Sequence, residues 1–403
     1  MHMKGKSEVR AMLRPGVYKQ IAPVLFGSKM AAQAGKKAKE LGVGRLLLVC
    51  DEGIRQTGMD SKMEHILKES GLIVTTWYGV QTDCPDGTVE EAVRIIGENH
   101  IDGVLGLGGG SVLDTAKVIA AAAANGLEIL GEVLEYLSGA KSYAHHPLPL
   151  ILMPTTTGTG SESTFVAVVT SSALDAKVGL PCAADCAIVD PELTMSVPPF
   201  VTAFTGLDAL SHANEALAEK KNTPHSDLLA FEVVRLIKTY LPAAVADGSD
   251  REAREHLAFA SNLAGIAFNE SGVHIGHACA HALGHLYHVP HGVCCANLTP
   301  AVIELQARAY PEKMKRLGLI MGAKISTDEP GEIGKKAADA VRAFAKELGI
   351  PSLNEQGFTE AQILEALPIV LNDPLGYAYD GQITEEEIRF ILKRAYRGSY
   401  GGN

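Results

Sequence analysis

The chain changes texture once, near Pro191, and that change limits the folds open to it more than any other feature. Before it, short β-rich runs at 23–26, 46–50, 72–77, 104–107 and 150–153 alternate with amphipathic stretches such as 29–41 and 89–99. Alternation of this kind builds βαβ units and a largely parallel sheet, because each crossover helix must lie on a face of the sheet. A further β-rich patch, 164–171, is expected to form a hairpin beside that sheet. DPELTMSVPPFVTA then serves as a proline-punctuated connector. Helical patterns follow at 203–217, 226–240, 250–269, 274–287, 311–321, 333–348, 359–367 and 384–396. Thr359-Glu360, and Thr384 ahead of three glutamates, each place a capping hydroxyl before an acidic first turn. The expectation is an α/β domain over 1–191 and an all-helical domain over 192–403, and 403 residues suffice for two cores.

Charge and composition exclude several classes. A net charge of −11 argues against a nucleic-acid backbone or an anionic membrane as the main partner. The longest apolar stretch, 101–124, is interrupted by Asp102, Asp114 and Lys117, so it is no membrane span. The opening MHMKGKSEVRAMLRPG lacks the apolar core of a secretory signal. Seven cysteines with no CxxC pair suggest a reduced cytoplasm rather than disulfides. Cys182 and Cys186, and the vicinal Cys294 and Cys295, could bind metal, but without a CxxC pair a cysteine-based zinc site is not the expectation.

Histidine carries the strongest chemical signal. His274, His277, His281, His285, His288 and His291 fall within eighteen residues, and the gaps of 3, 4, 4, 3 and 3 are helical. The first four are expected along one helix face. Upstream, Asp208 and His212 lie four apart in another helical run. Imidazoles with a carboxylate suit a divalent first-row metal. Spacing alone does not choose which of the histidines bind it.

Two loops in the first half fit a nucleotide. The run from Val104 through Gly106, Gly108, Gly109, Gly110 and Ser111 to Lys117 reads strand, glycine loop, helix, which brings backbone N–H groups and a helix N-terminus to a phosphate. Ser111 and Asp114 match a capping pattern. There is no Gly-Lys-Ser/Thr, so this is not a P-loop. Pro154-Thr155-Thr156-Thr157-Gly158-Thr159-Gly160-Ser161-Glu162 follows a buried strand and offers hydroxyls at its C-terminal end. Asp51 closes the run 46–50, where an acid accepts from an adenosine ribose and disfavours a 2′-phosphate.

Taken together, GGGSVLDTAK, PTTTGTGSE, DPELT, TAFTGLDALSHANEA and HACAHALGHLYHVPHG resemble the iron-containing (group III) alcohol dehydrogenase family, in order and over roughly 20–395. The resemblance implies a Rossmann-like NAD-binding domain followed by an all-α metal-binding domain, the dehydroquinate synthase-like fold. It implies a metal-dependent, NAD(H)-linked alcohol dehydrogenase or aldehyde reductase, loaded with Fe2+ or alternatively Zn2+, and a homo-oligomer, dimer or larger. By similarity the metal ligands are Asp208, His212, His277 and His291. His281 falls near the nicotinamide, with a role in proton transfer. His274, His285 and His288 lie outside the ligand pattern. Cofactor positions are Asp51, Gly108, Gly109, Gly110, Ser111, Thr155, Thr156 and Lys177. Substrate-facing positions are Val166, Val168 and Phe268, and the two valines share one strand face.

The sequence departs from the family's pattern at two places. Cys295 stands where an asparagine often sits, and Ala184-Asp185 replaces a more apolar stretch. From Glu255 to Ala307 there is no lysine or arginine, which favours a small neutral alcohol or diol over a phosphorylated polyol. A hydroxyacid dehydrogenase or a hydroxyacid–oxoacid transhydrogenase is the alternative on the same fold. A dehydroquinate synthase-like lyase would need basic residues that the histidine segment lacks. A metallohydrolase would need the Glu of H-E-x-x-H.

Overall fold

The computed structural model describes residues 16–82, 84–172 and 176–397. The opening segment that lacks a signal-like core lies outside the described residues, apart from Gly16.

Among the described residues, eight strands form two sheets. They are β1 Val24–Phe26, β2 Arg45–Val49, β3 Ile73–Trp77, β4 Gly103–Gly108, β5 Leu150–Pro154, β6 Val166–Ser171, β7 Ala176–Pro181 and β8 Cys186–Val189. Six of them make one sheet in the order β1-β8-β5-β4-β2-β3, with every pairing parallel. The helices of this half are α1 Ala34–Glu40, α2 Glu52–Thr57, α3 Met59–Glu69, α4 Val89–Asn99, α5 Gly110–Asn125 and α6 Val133–Leu137.

The pleat explains why the β-rich runs read as continuous apolar stretches. Leu47 and Val49 face a core shared with Val89 and Ala92 of α4 and Val112 and Ala116 of α5. Leu46 and Leu48 face the opposite core, with Ala34 and Ala38 of α1 and Met63 and Leu67 of α3. A parallel sheet covered on both sides buries both sets of alternating side chains. Gly106 lets α5 lie close, since a Cβ there would stand 2.8 Å from the Ala116 Cβ. β6 and β7 pair antiparallel as the expected hairpin, with Thr170 opposite Lys177.

The second half is helical. Its elements are α7 Pro199–Ala216, α8 Pro224–Ala246, α9 Arg251–Ser271, α10 Ile275–Tyr287, α11 His291–Gln306, α12 Pro311–Ile320, α13 Pro330–Glu347, α14 Glu360–Leu364, α15 Leu367–Asn372 and α16 Glu385–Arg397. α7 packs against α8, α9 and α11 and is buried on nearly every side from Thr202 to its end. The hydroxyls of Thr359 and Thr384 cap α14 and α16 as expected, each receiving the backbone N–H three residues on. Among the described residues no helix is long and apolar enough to cross a membrane.

The structure corrects several expectations. The pattern 359–367 holds a helix that ends already at Leu364, and a second helix opens at Leu367. β8, α3 and α11 were absent from the sequence reading. The helix expected over 274–287 is α10, but the six histidines do not all lie on it. His274 is the N-cap of α10, His288 ends it in the left-handed region at φ 54°, and His291 opens α11 after Pro290. Ser111 and Asp114 do not cap α5, whose N-cap is Gly109 with no side-chain bond. Asp114 instead accepts from the Ser161 hydroxyl at 2.5 Å and the Val168 N–H at 3.1 Å.

One contact joins the halves with no side chain between them. Gly160, at φ +60°, lies against Gly265 of α9, and a Cβ on Gly160 would stand 2.5 Å from the Gly265 Cα. Around it, Asn262 donates to Glu162 at 2.9 Å and to Ser163 at 2.7 Å, and Asn269 accepts from the Phe165 N–H at 2.8 Å.

Candidate metal and cofactor site

Three helices converge to build a cluster of donor atoms. On α7, Asp208, His212 and Glu215 recur at i, i+4 and i+7, which places them on one stripe. α10 supplies His277 and, one turn later, His281. The turn after His288 reverses the chain so that His291 and Cys295, four apart on α11, face the same point.

Among the described residues, one atom each from Asp208, His277, His291 and Cys295 lie within 4.8 Å of one another. Asp208 Oδ1 is 3.5 Å from His291 Nε2 and 3.9 Å from His277 Nε2. Cys295 Sγ is 3.5 Å from His291 Nε2. His212 stands beside this group, its Nε2 4.0 Å from Asp208 Oδ1 and its ring stacked on His277 at 4.6 Å. A tetrahedral ion with bonds of about 2.0–2.3 Å holds its ligand atoms about 3.3–3.8 Å apart. Asp208 Oδ1 and His277 Nε2 are buried and hydrogen-bond to nothing, which an intact fold tolerates where a ligand supplies the partner. The residues therefore fit a divalent metal.

Burial governs the protonation of three of these rings, whereas at His277 burial is outweighed by Glu215, which raises the imidazole. Burial pushes His212 down to about 4, against a partial pull from Asp208. It carries His291 well below the ordinary imidazole value, with neighbouring histidines and Lys177 adding to the effect. His281 falls to about 3, again through burial and then Lys177. Neutral imidazoles are the form that coordinates a metal or accepts a proton.

Glu215 was not singled out in the sequence, although its place three residues after His212 was the available signal. Its Oε1 is 3.1 Å from His277 Nδ1, and its Oε2 accepts from the His274 backbone N–H. Burial alone would raise this carboxyl, but His274 and His277 more than offset it and hold it near 2. A carboxylate behind a ligating imidazole fixes its tautomer and leaves Nε2 free for the metal. His274 is fully buried, 2.9 Å from the Gln306 amide nitrogen and 3.6 Å from Glu215. It supports the cluster without entering it. His285 is half-buried and His288 exposed.

The cofactor-type loops sit at the adjoining carboxyl ends of β4 and β5. Gly108 is in register with Pro154, and the Thr155 N–H donates to the Gly108 carbonyl at 2.9 Å. Gly109 and Gly110 face the threonine loop, and a Cβ on Gly110 would come within 2.6 Å of Thr159. Side chains there would fill the cradle above the α5 N-terminus, where Ser111 and Thr156 remain partly exposed. Asp51 ends the neighbouring strand's loop. Its Oδ1 caps α2 through the Ile54 N–H at 2.8 Å. β2 and β4 are adjacent while their connections run to opposite sides, so this is the crevice at the sheet's switch point.

Lys117 is the other group that sequence reasoning left out. It is fully buried and donates to Ser161 and Thr164, each at 2.9 Å, and to the Val166 carbonyl at 2.8 Å. It thus ties the glycine-loop helix to the threonine loop and to β6. Val166 and Val168 lie on the partly exposed face of β6, while Ala167 and Val169 are core. Phe268 of α9 stacks on His212 at 4.3 Å.

Comparison with known proteins agrees with this arrangement. Residues 22–191 match the family described as iron-containing alcohol dehydrogenase, and 202–396 match its C-terminal region. The chain belongs to the iron-containing alcohol dehydrogenase family. It is 34% identical to the NAD-dependent methanol dehydrogenase of Bacillus methanolicus, covering 92% of this chain and 97% of that one. It is also 34% identical to the 1,3-propanediol dehydrogenase of Klebsiella pneumoniae, covering 92% and 96%. A crystal structure of 1,3-propanediol oxidoreductase superposes with a TM-score of 0.88 at 32% identity, over 95% of this chain and all of that one. Sulfoacetaldehyde reductase from Bifidobacterium kashiwanohense, solved with NAD+, gives a TM-score of 0.81 at 28% identity, over 94% and 98%. As a member of this family the chain is an NAD-dependent, metal-dependent alcohol dehydrogenase, with iron as the family's metal.

Proposed function

We propose that this enzyme interconverts a small neutral primary alcohol or diol with its aldehyde, using the donor cluster on α7, α10 and α11 and a dinucleotide laid along the β4 and β5 loops. The observation that carries the reading is the pair of buried, unpartnered ligand atoms, Asp208 Oδ1 and His277 Nε2, in a cluster next to that crevice. Asp208, His212, His277 and His291 would hold the metal. Asp51, Gly108, Gly109, Gly110, Ser111, Thr155, Thr156 and Lys177 would hold NAD. Once bound, iron polarises the alcohol oxygen and the nicotinamide is the hydride acceptor.

The chain's own groups do the rest. Glu215 keeps His277 in the tautomer that presents Nε2. His281, neutral and 5.3 Å from the His291 ring, would be the group that takes up the hydroxyl proton. Phe268, Val166 and Val168 line the apolar side that limits substrate size. The absence of lysine and arginine over 255–307 supports an uncharged substrate, as do the methanol and propanediol dehydrogenases among the relatives. Lys177 is the observation that favours a second reading, since a cation whose charge reaches His281 and His291 would suit a hydroxyacid head group.

The same proposal takes the α/β domain as 1–191 and the helical domain as 192–403. The enzyme would work as a homo-oligomer, dimer or larger, in the cytoplasm, where its seven buried cysteines remain reduced.

The test is NADH formation by anaerobic protein supplied with Fe(II), across primary alcohols, diols and hydroxy acids. Chelator-sensitive turnover led by short alcohols or diols is expected. Turnover confined to hydroxy acids would replace this reading with the second one. Retention of NADH on the enzyme, with exchange only between hydroxy and oxo acids, would mark a transhydrogenase.

A further inference from the structure

We infer that the metal site of this chain has a sulfur ligand, Cys295, in addition to its carboxylate and imidazoles. The inference rests on the metal-binding reading of the cluster. It starts from a thiol that the fold brings into the donor cluster.

The geometry is specific to Cys295. Four residues after His291 on α11, it is carried to the same side of the helix, and its Sγ stands 3.5 Å from His291 Nε2. That separation suits two ligands of a single ion. The sulfur also belongs to the group with Asp208 and His277 whose donor atoms lie within 4.8 Å of each other. Cys294, next in the chain, turns away toward the Val289 carbonyl at 3.9 Å. The second, independent observation is the pair of orphaned atoms, Asp208 Oδ1 and His277 Nε2, buried and aimed into the same space. An ion placed to satisfy both is also within reach of the sulfur.

Coordination displaces the thiol proton to solvent, and the sulfur binds as a thiolate. A soft donor changes which metal the site prefers, because thiolate favours zinc and cobalt over hard, oxygen-seeking ions. The consequence is a site less committed to iron than a nitrogen and oxygen set would be.

Cobalt(II) substitution tests this without reference to activity. Metal-free protein is titrated anaerobically with Co(II), and the visible d–d bands and the near-ultraviolet sulfur-to-cobalt charge-transfer band are recorded. Wild-type protein should develop both. Cys295→Ser and Cys295→Ala should keep the d–d bands and lose the charge-transfer band, while Cys294→Ser should keep both. Visible bands without charge transfer in the wild type would leave the metal site intact and overturn the sulfur ligand. A charge-transfer band that survives in Cys295→Ala would overturn it too. Failure of the wild type to bind cobalt at all would sink the metal reading together with this one.

Discussion

Replacing Glu215 by glutamine isolates the support behind the metal site while barely changing its shape. In the structure the carboxylate serves two donors, the His274 backbone N–H and His277 Nδ1, the latter at 3.1 Å. An amide has one accepting oxygen. If that oxygen keeps the His274 N–H, the amide N–H₂ faces Nδ1 and drives the ring proton to Nε2, the atom a metal needs. The site then binds metal only by reversing the tautomer or breaking a contact. Loss of such a carboxylate typically weakens metal affinity about 10–100-fold, or about 1.4–2.7 kcal/mol. Folding should suffer less clearly, since a stranded buried donor costs about 1–3 kcal/mol but the burial of a charge is also relieved. The assay is competition between metal-free protein and a chromophoric chelator, for zinc and Fe(II), with thermal unfolding of the metal-free protein alongside. A folded Glu215→Gln protein that binds both metals within about twofold of wild type would refute the reasoning.

Further outcomes follow from the same contacts. Asp208→Ala and His277→Ala should lose metal and turnover together, whereas folded His274→Ala should retain metal; elemental analysis beside NADH formation separates them, and a metal-replete, inactive Asp208→Ala enzyme would contradict the assignment. Lys117→Met removes the cation 3.7 Å from the Asp114 carboxylate and the donor to Ser161, Thr164 and the Val166 carbonyl, so urea unfolding should show a loss of about 3–5 kcal/mol and a raised KM for NAD; a loss under about 1 kcal/mol would mean that these groups find other partners. Gly160→Ala combines a positive φ with overlap on the Gly265 backbone and should cost about 2 kcal/mol or more. Gly42→Ala, at φ +83° with nothing within 4 Å of its Cβ, measures the backbone contribution alone; equal losses at the two positions would dismiss the overlap.

Most of the sheet was legible because its strands are covered on both faces and read as unbroken apolar runs, as at 46–50 and 150–153. The glycine and threonine loops were legible for a related reason: each interrupts such a run at the end where a ligand binds. α11 was hidden. It is buried almost all round, so it has no polar face to give a period, and Pro300 falls in its middle. β8 was hidden by length, four residues between two aspartates. In the histidine segment, spacing placed the first four histidines on one helix, but it did not report the left-handed turn at His288 that leads into α11. Only that reversal brings His291 back over His277. The misread capping role of Asp114 has the same origin. Its partners, Ser161 and Val168, lie 47 and 54 residues away in sequence, and no local pattern reports them.

The contact between Gly160 and Gly265 sets the mechanics of the cleft. Side chains can change rotamer; backbone pressed on backbone has no such freedom. Were the two halves to rotate against each other, displacement would be least near this contact and greatest at the outer rim of the cleft. The threonine loop stands on one side of the contact and α9, which carries Phe268, on the other. Such a motion would admit a dinucleotide at the rim while leaving the span from the β5 loop to the donor cluster nearly unchanged.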